Sequence, residues 1–63
     1  MATYICKYYD KDRNETGNTL EISGNETLTR VRDRIRKNAN RGDVYYNIFT
    51  PSGNKISSRE LKI

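Results

Sequence analysis

Between Leu28 and Arg41 the chain sets six basic residues, Arg30, Arg32, Arg34, Arg36, Lys37 and Arg41, against a single acid, Asp33. This segment carries +5 where the whole chain of 63 residues carries +4, so the remainder sums to about −1 and the positive excess is one patch. Five of the six are arginines. A planar guanidinium fork makes bidentate contacts with phosphate or carboxylate that a lysine ammonium cannot make. The pattern points to an anionic or acidic-surfaced partner. A merely solubilising face is the competing reading, since Arg is a good helix former and a small domain needs surface charge.

Catalytic chemistry finds little support. There is no histidine, and Cys6 is the only cysteine. Those two facts exclude imidazole acid–base chemistry, a Cys/His zinc site and an intramolecular disulfide. Asp10, Asp12 and Glu15 cluster in one polar stretch, but Lys11 and Arg13 interleave with them and the spacing matches no calcium loop. The serines and threonines have no base partner in sequence, and no glycine-rich phosphate loop occurs. The chain is expected to be a non-enzyme with no cofactor and no metal. A lone cysteine in a first strand reads as a small buried hydrophobe in a reducing compartment. No apolar run is long enough for a signal peptide or a membrane span, so a cytoplasmic protein is expected. In that setting the triplets Asn14-Glu15-Thr16 and Asn25-Glu26-Thr27 are chance matches to a glycosylation acceptor.

The elements that must position the basic patch follow from the apolar pattern. The expectation is a single domain, residues 1–63, near the lower size limit for a self-supporting core. Leu, Ile, Val and Phe number twelve, and five tyrosines add rings that can be buried with their hydroxyls wet. A stability of about 3–5 kcal/mol is expected for a monomer of this size. Thr3 to Tyr9 reads as a strand with Tyr4, Cys6 and Tyr8 on one face and Ile5, Lys7 and Tyr9 on the other. The polar run Asp10 to Asn18 reads as an exposed hairpin loop, and Thr19 to Ser23 resumes the alternation with Leu20 and Ile22 inward. Ser23 to Thr27 is a helix start in which Asn25 or Thr27 caps and Ser23 and Glu26 have capping-box spacing. An acid in the first turn and bases in the last suit the helix dipole. Leu28, Val31, Ile35 and Ala39 form one narrow helical stripe, and Gly42 fits a left-handed stop.

Asp43 to Thr50 is the clearest strand, with Val44, Tyr46 and Ile48 on one face and Tyr45, Asn47 and Phe49 on the other. Pro51 to Asn54 is a turn, so the last two strands form a hairpin. Ile56 has the opposite parity to Leu61 and Ile63, which a bulge near Ser57-Ser58 or a short turn before Glu60 would reconcile. The result is an α+β fold of order ββαββ: a four-stranded antiparallel sheet with one helix packed on one face.

On that layout the helical geometry puts Arg30, Arg34 and Lys37 opposite the apolar stripe, Arg32 and Arg36 beside it, and Arg41 at its end. The far face of the sheet presents Tyr45 and Phe49. Exposed rings beside basic residues stack single-stranded bases in many proteins; a protein partner, a homodimer contact or simple exposure are the other readings of that face.

Tyr4-Ile5-Cys6-Lys7, Thr27-Leu28 with Val31 and Ile35, and Gly42 before the Val44-Tyr45-Tyr46 strand together resemble small phage-borne anti-CRISPR proteins of ββαββ layout, inhibitors of a type I-F surveillance complex. The resemblance implies a cofactor-free, non-enzymatic inhibitor that occupies a nucleic-acid-binding surface of a large host effector. The residues themselves leave two functional classes. One is an interaction protein that binds a host protein or nucleoprotein complex. The other is a direct, largely sequence-independent nucleic-acid binder. Arg30, Arg32, Arg34, Arg36, Lys37, Arg41, Tyr45 and Phe49 are the candidate contacts for either.

Overall fold

Alternating side chains and two tight turns produce the strands, and one capped segment produces the helix. The computed structural model describes residues 3–61. The elements are β1 (Thr3–Tyr9), β2 (Glu15–Ser23), α1 (Leu28–Asn38), β3 (Tyr45–Phe49) and β4 (Lys55–Glu60). They build an antiparallel sheet of order β2-β1-β3-β4 with the helix on one face, the α+β architecture that the apolar pattern predicts. Cys6, Tyr8, Ile22, Val31, Ile35 and Tyr46 form the buried core, with Tyr4, Leu20, Ala39, Ile48 and Leu61 packed against it.

The two hairpins share one turn design. Asp10 and Asn14 close the first, with Asp10 N–H donating to the Asn14 carbonyl and Arg13 N–H to the Asp10 carbonyl, each at 2.9 Å. Thr50 and Asn54 close the second in the same way, at 2.8 Å, with Gly53 N–H donating to Thr50 at 2.9 Å. The fourth residue of each turn is left-handed: Gly53 at φ 96° and Arg13 at φ 64°. Such a three-residue loop needs a positive φ there, which is inexpensive for glycine and strained for arginine. The polar loop is shorter than the sequence predicts, because β2 already begins at Glu15.

The last strand needs the extra residue that its parity conflict demands, one position earlier than expected. Ile48 pairs with Ser57, but its neighbour Phe49 pairs with Lys55, so Ile56 is the bulged residue. Ile56 is 57 % exposed, while Leu61 packs on the core. Ile63, the third residue of that conflict, lies outside the described residues.

The helix departs from expectation at both ends. Thr27 is the N-cap, its hydroxyl accepting from Arg30 N–H at 3.3 Å. Ser23 and Glu26 do bond reciprocally, at 3.2 Å each way, but in the turn before the cap. No acid therefore lies in the first turn; Arg36 and Lys37 occupy the last. Leu28 is 64 % exposed, so the buried stripe is Val31 and Ile35. At the other end Ala39 is the extended C-cap, φ −66° and ψ 136°. Gly42 is left-handed at φ 101°, as predicted, yet it serves a separate turn in which Asp43 N–H donates to Asn40 at 3.1 Å. A positive φ at the third residue is what a type II turn requires.

The last carbonyls of a helix have no partner within it. Here Ala39 N–H reaches back only to Arg36, leaving the Ile35 carbonyl free, and the buried Tyr8 hydroxyl donates to it at 2.6 Å. The Asn38 carbonyl accepts from the Asn18 side-chain amide at 2.9 Å. The same amide donates to the Asp43 carboxylate at 2.9 Å, which also accepts from Asn40 N–H at 2.8 Å. Burial pushes the Asp43 carboxyl up, but hydrogen bonds from Thr16, Asn18 and the Asn40 backbone outweigh it, and its pKa lies below the usual 3.8.

Removing one partner of a buried hydrogen bond costs about 1–3 kcal/mol. Tyr8→Phe strands the Ile35 carbonyl and is expected to lower unfolding free energy by that amount, read from the urea midpoint with an unchanged slope. The depressed Asp43 pKa adds stability that is present above its unfolded value of 3.8 and lost as pH falls through the folded value. Urea melts at neutral pH and in the acid range are therefore expected to show Asp43→Asn less stable at neutral pH and with a shallower acid decline than the parent.

Candidate docking surface

The basic residues of α1 divide into three sets that the periodicity alone does not separate. At about 100° per residue, Arg34 and Asn38 lie on the β2 side of the Val31–Ile35 stripe, Arg32 and Arg36 on the other side, and Arg30, Asp33 and Lys37 outward. Arg34 is not an outermost charge. Its guanidinium pairs with the Glu26 carboxylate and donates to the Glu21 carbonyl at 3.2 Å, leaving the residue half-buried. The hydrogen bond from Arg34 to the Glu26 carboxylate is the largest influence holding that carboxyl below its ordinary pKa, with the Ser23 backbone N–H next. Lys37 is exposed but lies 3.1 Å from Asp33 one turn away.

Arg32 and Arg36, beside the stripe as the spacing predicts, are exposed and have no ion-pair partner among the described residues. They project over β3 and β4, because the helix sits toward β2, whose carbonyls at Thr19 and Glu21 it bonds through Asn38 and Arg34. A groove is left between α1 and β4. Its floor is Ile35, Tyr46 and Leu61; Arg32 and Arg36 line one wall, and Arg59 and Glu60 the other. Arg59 pairs across the sheet with Tyr46, on the helix side, and is likewise exposed and without an ion-pair partner among the described residues. Sequence reasoning missed Arg59. Its parity with Leu61 was the signal, obscured by the uncertain path of the last strand. Arg30 is exposed near the helix start and Arg41 in the Asn40–Asp43 turn, both outside this groove.

Tyr45 and Phe49 do lie on the far face of the sheet, cross-strand from Tyr9 and Ile5. Neither ring is bare. The Arg13 guanidinium lies 4.2 Å from the Tyr45 ring centre, and the Lys7 ammonium 5.3 Å from that of Phe49, with Glu15 3.8 Å from the same ammonium. A base stacking here would have to displace a cation already in place. The candidate contacts therefore fall on opposite faces, and the structure does not bring them into one site.

Other chemistry has little footing in the geometry. Asp10 is committed to its turn, its carboxylate accepting from Asp12 and Asn14 N–H at 2.9 Å each. Among the described residues, no three His, Cys, Asp or Glu side chains gather as a metal site, and no helix is long and apolar enough to cross a membrane. Cys6 is fully buried, and burial pushes its thiol up to about 12. Only a thiolate is nucleophilic. Cys6 is therefore expected to resist iodoacetamide in the native protein and to label at the rate of global unfolding; labelling as fast as a free thiol would contradict its burial.

Comparison of the chain with protein-family models, with curated proteins and with solved structures finds no match.

Proposed function

We propose that this chain is a non-enzymatic interaction protein that docks an acidic protein surface through the groove between α1 and β4. One observation carries the reading: Arg32, Arg36 and Arg59 stand around a part-apolar floor without ion-pair partners among the described residues. Arginines held only for solubility gain nothing from convergence. Three beside Ile35, Tyr46 and Leu61 match a partner that offers carboxylates around an apolar side chain. The alternative, direct sequence-independent binding of nucleic acid, has phosphate ligands in Arg30, Arg41 and the same groove. It lacks an open stacking platform, since Tyr46 is buried and the far-face rings lie under cations.

The resemblance to anti-CRISPR proteins supports a finer version, in which a phage-encoded inhibitor acts in the host cytoplasm on a host protein or nucleoprotein complex. Charge then selects the surface. A chain of net +4 is repelled by a basic nucleic-acid channel, so the target surface in this reading is an acidic flank of the complex or the nucleic acid already bound to it.

The test compares the parent with Arg32→Ser/Arg36→Ser/Arg59→Ser and with Arg30→Ser/Arg41→Ser, as affinity baits in nuclease-treated and untreated host lysate. A desolvated charge-assisted contact is worth about 1.5–3 kcal/mol. The groove variant is therefore expected to lose at least about 100-fold in affinity for a protein retained by the parent in both lysates, while the control variant keeps it. Capture only in untreated lysate, or equal loss in both variants, would move the function to nucleic acid.

A further inference from the structure

The two edges of the sheet are not equivalent. On β2, the Glu21 and Thr19 carbonyls accept from Arg34 and Asn38 of the helix, at 3.2 and 3.3 Å. On β4, nothing among the described strands pairs with the outer edge. Leu61 N–H donates inward to Val44 at 2.7 Å. Antiparallel strands alternate in direction, so Arg59 and Ser57 also face β3 with their backbone groups, while Ser58 and Glu60 turn theirs to the open edge. The Ile56 bulge interrupts the edge only upstream of these residues. Arg59, with its side chain on the helix side, stands directly behind this edge, and Arg32 and Arg36 face it across the groove.

From this we infer that β4 receives an extended acidic peptide as a fifth strand, with Ser58 and Glu60 bonding its backbone and Arg32, Arg36 and Arg59 its carboxylates. The inference rests on the docking function proposed above and specifies how the partner is held. Strand addition supplies affinity through the main chain and specificity through alternate side chains. Here every second side chain of the guest points to the helix side, where three guanidiniums select Asp or Glu. A second copy of this chain is the occupant that charge disfavours, because pairing β4 with itself brings Arg59 near its own counterpart. Glu60 pairs across the sheet with the far-face Tyr45, so its carboxylate lies on the face opposite the guanidiniums and only its backbone serves the guest.

The test uses the full chain, isotopically labelled, and the peptide Ac-Glu-Thr-Glu-Thr-Glu-Thr-Glu-NH2. Binding is expected to slow hydrogen exchange at the Ser58 and Glu60 amides about tenfold or more at saturation. Two N-methylated peptides, one blocked on its Glu amides and one on its Thr amides, are expected to differ about tenfold or more in affinity, since a strand uses alternate amides. The Gln-for-Glu peptide is expected not to bind. Glu60→Gln keeps the backbone donor and changes only a far-face side chain, so it is expected to bind the acidic peptide within about twofold of the parent. Peptide binding with unchanged exchange at Ser58 and Glu60 would overturn strand addition and leave the docking function standing. No binding of the acidic peptide would overturn both. Protection at these amides that rises with protein concentration, without peptide, would assign the edge to a second copy.

Discussion

A short helix lying on a sheet has to satisfy its last carbonyls away from water, and the arrangement of this molecule depends on how that is done. The Tyr8 hydroxyl, rising from near the end of β1, takes the Ile35 carbonyl, and Asn18 from β2 takes the Asn38 carbonyl. An unmet buried carbonyl would cost a large part of the stability a chain of this size can reach. These two bonds fix where the helix ends and on which pair of strands it rests. Asn18 then links the helix terminus to Asp43, which holds the turn leading into β3. One small polar cluster thus ties both hairpins to the helix.

Placing the helix over that side of the sheet decides the meaning of its charges. Arg34 faces the occupied side and becomes structural, spent on Glu26 and the Glu21 carbonyl. Arg32 and Arg36 face the side the helix leaves open, where Arg59 joins them from β4. A charge run that looks uniform along the chain becomes one anchored arginine, Arg34, one locally paired lysine, Lys37, two residues outside the groove, Arg30 and Arg41, and a pair, Arg32 and Arg36, that converges with Arg59. The binding face is a product of helix position more than of local composition.

The strands, the helix, their order and the inward faces were legible because each rests on a period of two or of 3.6 residues with apolar side chains at the right parity. Tyr4, Cys6 and Tyr8 could be placed inward from alternation alone, and Gly42 marked a positive φ. The roles of single arginines were not legible. Whether Arg34 or Arg32 is free depends on which strands lie beneath the helix, and no local pattern encodes sheet order. Arg59 was hidden by the same ambiguity as Ile56: a bulge reverses parity, and its position is set by the partner strand. Leu28 fits the stripe by spacing but is the first helical residue after the Thr27 cap and is exposed, and spacing alone does not show where along a helix its burial begins. The cations over Tyr45 and Phe49 come from β1 and its turn, residues remote in sequence from the rings they cover.

The sheet order has a kinetic meaning as well. Each hairpin joins strands adjacent in the chain through a tight turn, and hairpins of this kind close on a scale of about 1–10 μs. The central seam is different: Ile5 meets Phe49 and Tyr9 meets Tyr45, partners separated by most of the chain length. Loop-closure entropy must be spent before that seam returns any contact energy. Two quickly formed halves therefore wait on one slow encounter, and the helix between them, by shortening the span, sets how long they wait.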